Sequence, residues 1–137
     1  MIAALPVHGA FVPGRSLGGI RLGETAPEVR AKLGTDYGIC RGCPTTTWYF
    51  TYRRFDDTGL GVELTDGRVS AVYTLWRPPR WRSSTVRLGD PQAKVGPALT
   101  VSCSGYEALV QGTSVYYVVA GKIWGFGLVR ERASPCR

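Results

Sequence analysis

The chain holds one His, one Met and only three Lys, at positions 32, 94 and 122, among its 17 cations. A lone histidine, His8, leaves little material for a Ser-His-Asp triad or an imidazole metal site. No apolar run approaches the ~18 residues that a membrane helix needs. No Gly-x-Ser-x-Gly elbow, P-loop or dinucleotide fingerprint is present. Gly14-Arg15-Ser16-Leu17-Gly18-Gly19 is glycine-rich, but extended chain follows it instead of a helix, so it reads as a turn. Residues 1–7 are mildly apolar yet lack a basic leader and a full hydrophobic stretch, so no signal peptide is legible in the chain. Long helices are disfavoured by 18 Gly and 9 Pro among 137 residues.

What is present describes one domain. With 44% apolar, 11% aromatic and 20% charged residues, a chain of this length buries roughly two thirds of its unfolded surface. The net charge of +7 is uneven. Residues 1–76 carry eight Lys or Arg against seven Asp or Glu, and residues 77–137 carry nine against three. A basic second half attracts nucleic acid, anionic polymers or an acidic protein face, although solubility alone also accounts for it.

Four cysteines, Cys40, Cys43, Cys103 and Cys136, are an even number in a small domain. They predict disulfides and an oxidising, extracytoplasmic compartment. Cys40–Cys43 with Cys103–Cys136 is the simplest of the three possible pairings. The chain-entropy model gives the longer loop roughly 3–4 kcal/mol and the tight one about half that. A redox role for Cys40-x-x-Cys43 is the alternative. It is disfavoured because Pro44 and a strand follow, where an active dithiol needs a helix N-terminus. Zinc on all four cysteines is disfavoured by the absence of a second Cys-x-x-Cys knuckle, and no cofactor or metal is expected.

An internal repeat organises the rest. Ile20-Arg21-Leu22-Gly23-Glu24 returns as Val86-Arg87-Leu88-Gly89-Asp90, with Val29 answered by Val95 and Leu33 by Leu99. Gly67-Arg68-Val69 returns as Gly121-Lys122-Ile123. Thr25 and Glu28 form a capping box with Pro27 in the first turn, Ala26, Val29 and Leu33 share a face, and Gly34 stops the helix. In the second copy Asp90 caps a helix opened by Pro91 and interrupted by Gly96-Pro97. Strands are predicted over 45–54, 60–65, 68–76, 114–120 and 122–130, with hairpin turns at Asp66-Gly67 and Gly121. Trp48, Phe50 and Tyr52 share one strand face. Trp124, Phe126 and Leu128 share another, with bare Gly125 and Gly127 opposite them. The expected fold class is α+β, two tandem helix-then-antiparallel-strands repeats with short helices on an antiparallel sheet. Repeat one covers about 19–76, a Pro-rich linker 77–84, repeat two about 85–130 and a tail 131–137, all in a single domain.

Leu22-Gly23-Glu24-Thr25, Glu28-Val29 and Leu33-Gly34, echoed by Leu88-Gly89-Asp90, Val95 and Leu99, resemble the tandem α/β repeat of secreted β-lactamase inhibitor proteins. The unit also resembles that of the small outer-membrane-assembly lipoproteins of the SmpA/OmlA type, and the chain is similar to bacterial secreted proteins with a Trp-rich second half. The likeness covers about 19–130. It implies a non-enzymatic module that binds another protein through a sheet face and its loops, with one disulfide per repeat.

Acid–base candidates are weak. Asp56-Asp57 reads as a solvated turn; Glu63, in a strand, faces either a groove or, more commonly, the wet side, and Glu107, after Ser104-Gly105-Tyr106, is similarly ambiguous. The most unusual stretch is Trp76-Arg77-Pro78-Pro79-Arg80-Trp81-Arg82, where aromatics interleave with arginines, both residue types that dominate binding energy at interfaces. The candidate binding residues are Arg53, Arg54, Trp76, Arg77, Arg80, Trp81 and Arg82, weighed against the reading that both tryptophans pack under the linker. The expectation is a secreted monomeric binding module whose partner is a protein or an anionic cell-surface polymer. The alternatives are a thiol–disulfide protein and a nucleic-acid binder.

Overall fold

Alternating side chains build the strands. In β4 (Thr46–Thr51), Trp48 and Phe50 are buried in the main core, while Thr47, Tyr49 and Thr51 take the opposite face. In β5 (Gly59–Thr65), Leu60, Val62 and Leu64 join that core, leaving Gly61 and Glu63 on the other side. A two-residue turn leads into β6 (Arg68–Leu75), with Asp66 at φ 53° and Gly67 at φ 76°. Both left-handed conformations are what a tight hairpin needs. The hairpin of β9 (Ser114–Val119) and β10 (Lys122–Val129) closes in the same way, through Ala120 at φ 51° and Gly121 at φ 76°.

The computed structural model describes residues 9–51, 59–75 and 81–137. With β3 (Gly38–Ile39), β7 (Leu99–Ser102) and β8 (Glu107–Gln111), these strands form one eight-stranded antiparallel sheet in the order β3-β4-β5-β6-β10-β9-β8-β7. Each half of the sheet is a four-stranded meander, and the pairing of β6 with β10 joins them. A small two-stranded sheet, β1 (Phe11–Val12) with β2 (Ser16–Leu17), lies beside it. Helix α1 (Ala26–Leu33) contributes Val29 and Leu33 to the core, where they meet Phe11, Leu17, Ile20, Trp81, Val86 and the sheet residues.

The expected fold class is therefore corrected. The molecule is mostly β, with one eight-residue α-helix among the described residues, not two helix-then-strands repeats. The second expected helix is a four-residue 3-10 turn, Gln92–Val95, with no buried residue. Its cap position is taken by Pro91, whose side chain accepts no hydrogen bond. The Asp90 carboxylate, expected to cap, instead accepts the Arg87 N–H at 2.9 Å. Gly96-Pro97 stops any extension, and Leu99 lies 68% exposed in β7, so it is no core counterpart of Leu33. In the first copy the capping box forms as expected: the Glu28 N–H donates to the Thr25 hydroxyl, and the Thr25 N–H donates to the Glu28 carboxylate at 2.9 Å.

The repeated Leu-Gly-acid motif does have a shared structural task. The Gly23 N–H donates to the Val69 carbonyl at 2.8 Å, and the Val69 N–H donates to the Glu24 carbonyl at 2.8 Å. The same exchange links Gly89 to Ile123 at 2.7 Å and Ile123 to Asp90 at 2.9 Å. Each motif clasps the strand that follows a hairpin turn. Immediately beyond each clasp the strand carries a bulge, with Ser70 the extra residue in β6 and Trp124 in β10. Glu24 is 9% exposed, accepts the Arg21 N–H at 2.8 Å and pairs with Lys32 at 2.8 Å. Asp90 pairs with Lys94 only at 3.9 Å. Truncating the buried carboxylate strands a backbone donor and a cation. Glu24→Ala is therefore expected to lower unfolding free energy by about 2 kcal/mol and Asp90→Ala by about 1. Urea denaturation checks this, and equal or reversed losses refute the ranking.

Candidate functional site

The second face of the sheet holds the most distinctive surface. Ala71, Tyr73, Ala108, Val115, Tyr117 and Val129 form a separate buried cluster there, with Tyr106, Trp124, Val101 and Ala133 packed against it. Glycines let the rings lie down on the sheet. A Cβ on Gly61 would meet the Tyr73 ring at 2.5 Å, and one on Gly127 would meet the Tyr117 hydroxyl at 2.9 Å. The bare face at Gly125 and Gly127 is thus covered by Tyr117. Tyr106 stands edge-on to both Tyr117 and Trp124, with ring centroids 5.8 Å away in each case.

The chain beyond β10 folds back over this face. The Tyr117 hydroxyl donates to the Pro135 carbonyl at 2.9 Å, and Cys136 is bonded to Cys103. The Arg137 guanidinium pairs with Glu63 at 2.8 Å, both side chains being largely buried, and lies 6.0 Å from the centre of the Tyr73 ring. Glu63 thus faces a groove on the second face instead of open solvent, and it is joined to an arginine. Beside this strap a concavity of about 430 Å³ remains open, walled by Thr47, Tyr49, Glu63, Ser70, Tyr73 and Arg130. Cys43 stands on its rim on one side and Cys136 on the other, so both disulfides frame it.

Both cysteine pairs expected from the sequence form, Cys40–Cys43 and Cys103–Cys136. Cys40 follows β3, and its N–H donates to the Thr47 carbonyl at 2.9 Å, so this loop extends a strand pairing. A bend and β4 follow Cys43, with no helix N-terminus there to lower a thiol pKa.

Of the candidate binding residues, Arg53, Arg54, Trp76, Arg77 and Arg80 lie outside the described residues, as do His8, Asp56 and Asp57. Trp81 is 1% exposed and sits against Gly9 and Gly18, so it is a core side chain with no surface to offer a partner. Arg82, next to it, is exposed. Glu107 is exposed at the start of β8. Tyr73, Tyr117 and Tyr106 carry the second face, and none of them is among the candidate binding residues of the sequence. For Tyr73 and Tyr117 the signal that could have found them is the glycine under the ring in a neighbouring strand, Gly61 and Gly127.

No family model, curated protein or solved structure matches the chain. Among the described residues no helix is long and apolar enough to cross a membrane.

Burial pushes the Tyr73 and Tyr117 phenols well above their usual value, and for Tyr73 the Glu63 charge adds to the shift. The folded state keeps both protons at a pH where the unfolded chain loses them. Stability from these groups is complete below the unfolded pKa of about 10 and falls above it, by about 1.4 kcal/mol per pH unit for each phenol. Tyr117→Phe is expected to lower the urea midpoint at pH 7, through the lost Pro135 bond, and to make the alkaline fall shallower. An unchanged slope between pH 10 and 11 would sink this assignment.

Proposed function

We propose that the protein is a secreted, non-enzymatic binding module that receives a protein partner on the second sheet face, inhibitor-like in manner. The observation that carries this reading is the framing of one aromatic and polar concavity by both disulfides on a strand scaffold. Walls fixed before binding reduce the ordering cost of association. Tyr49, half-buried on the wall of the concavity, supplies contact area with few rotatable bonds. The two disulfides agree with an extracytoplasmic location. The resemblance to secreted tandem-repeat inhibitors, read from the Leu22-Gly23-Glu24-Thr25 segment, points the same way. The partner lies across Tyr49 and the Glu63–Arg137 pair, with the strap as one wall.

The test is binding of extracellular proteins to the immobilised chain, read in parallel for the wild type, Tyr49→Ala and Thr47→Arg. A partner held by the wild type should be weakened at least tenfold by Tyr49→Ala and lost with Thr47→Arg, since a long cation fills the concavity. Retention by both variants places the interface elsewhere. Turnover of an insulin disulfide by the wild type that disappears in Cys40→Ser would replace this reading with a redox one.

A further inference from the structure

A second concavity, of about 630 Å³, lies away from that face and is lined by Arg82, Ser83, Ser84, Thr85, Arg87, Asp90 and Lys94. Its cations are placed against electrostatic preference. Arg82 and Arg87 are bridge partners across an antiparallel turn, so their side chains leave the same side of the backbone. Like charges set directly opposite each other repel. Neither arginine forms an ion pair among the described residues. The one carboxylate in the pocket is already engaged: Asp90 Oδ2 accepts the Arg87 N–H at 2.9 Å and stands 3.9 Å from Lys94. Three cations thus face one carboxylate.

The turn that presents them is rigid. The Ser83 N–H donates to the Val86 carbonyl at 2.8 Å, and the buried Ser83 hydroxyl accepts the Val86 N–H at 2.9 Å. Trp81 and Val86, each 1% exposed, anchor the two ends in the core. Strand-like alternation then drives Arg82 and Arg87 outward. Arg82 is held further by its backbone, which accepts from the Phe11 N–H at 2.9 Å and donates to the Gly9 carbonyl at 3.1 Å. In the Trp-Arg stretch the tryptophan anchors and the arginine is presented.

We infer that this pocket is a binding site for a tetrahedral oxyanion, the sulfate or phosphate ester of a polyanionic cell-surface glycan. Two guanidinium forks on a fixed turn suit bidentate contact with such oxygens, Lys94 adds a point charge, and the exposed Ser84 and Thr85 hydroxyls can donate to the remaining oxygens. An ester group between the arginines turns a repulsive pair into a bridged one. A glycan is favoured over single-stranded nucleic acid because, among the described residues, no aromatic side chain lines the pocket, and bases need such a platform to stack. The disulfides also favour a compartment where glycans are the common polyanions.

The experiment is titration of the full chain with four probes at 0.15 M salt: a sulfated hexasaccharide, its desulfated counterpart, a phosphorylated oligosaccharide of equal charge and a dT oligonucleotide of equal charge. The sulfated or the phosphorylated sugar should bind, and the tighter of the two identifies the ester. Arg82→Ala and Arg87→Ala should each weaken binding at least tenfold, and Arg87→Lys severalfold, because it keeps the charge but loses the fork. Arg15→Ala removes an exposed charge outside the pocket and should leave affinity within twofold. The bound sugar should raise the Tm of the wild type but not of Arg82→Ala, a readout that also shows the variant is folded. Equal loss with Arg15→Ala overturns the site in favour of diffuse electrostatics. Equal binding of the desulfated sugar overturns the oxyanion, tighter binding of dT overturns the glycan, and no binding by any probe overturns the proposal.

Discussion

Everything in this molecule hangs on the seam between β6 and β10, two strands far apart in sequence. Only three residue pairs make it: Tyr73 with Gly127, Val72 with Leu128 and Ala71 with Val129. The seam is lengthened by other means at each end. The buried Thr74 hydroxyl accepts the Phe126 N–H at 3.0 Å where the ladder stops, and the Arg130 N–H reaches the Ser70 carbonyl at 3.1 Å beyond it. Without this seam there would be two separate meanders. Neither would own the core between the sheet and α1, and neither could carry a second face broad enough for the strap.

Local chemistry was readable from the sequence and global proportion was not. The capping box at Thr25 and Glu28, the Asp66-Gly67 turn and the tight Cys40–Cys43 link are short-range features, and the structure realises them as expected, together with the longer Cys103–Cys136 link. The repeated Leu-Gly-acid segment was visible as a motif, and its contacts with Val69 and Ile123 give it a reason. The helix assigned to the second copy failed because a shared motif does not guarantee a shared cap: Pro91 stands where Thr25 stands in the first copy. The strands β7 and β8 were missed because Leu99–Ser102 and Glu107–Gln111 are short and lie at or next to a sheet edge, where half the usual apolar alternation is absent. The functional surfaces were the least legible. The side chains of the second face look like core in sequence, and the turn holding Arg82 and Arg87 acquires meaning only once both are seen on one side of a bridge.

The two surfaces divide the molecule's chemistry. One is aromatic, nearly neutral and framed by disulfides; the other is cationic, polar and built on a hydroxyl-bearing turn. They use residue types that the chain has in quantity, tyrosine and arginine, and neither depends on its single histidine or methionine.

The disulfides have a consequence beyond framing a concavity. The sheet ends at β3, two residues long, and at β7, four residues long, with Ile39 63% and Leu99 68% exposed on them. Such margins invite a neighbouring molecule to add its own strand. In each case the next residue is a bonded cysteine, Cys40 after β3 and Cys103 after β7, so a covalent link fixes the end of each edge strand. The same two covalent links thus cap the sheet at both margins. A chain that has lost either link is open to growth by stacking, one molecule upon the next, from the margin it has lost.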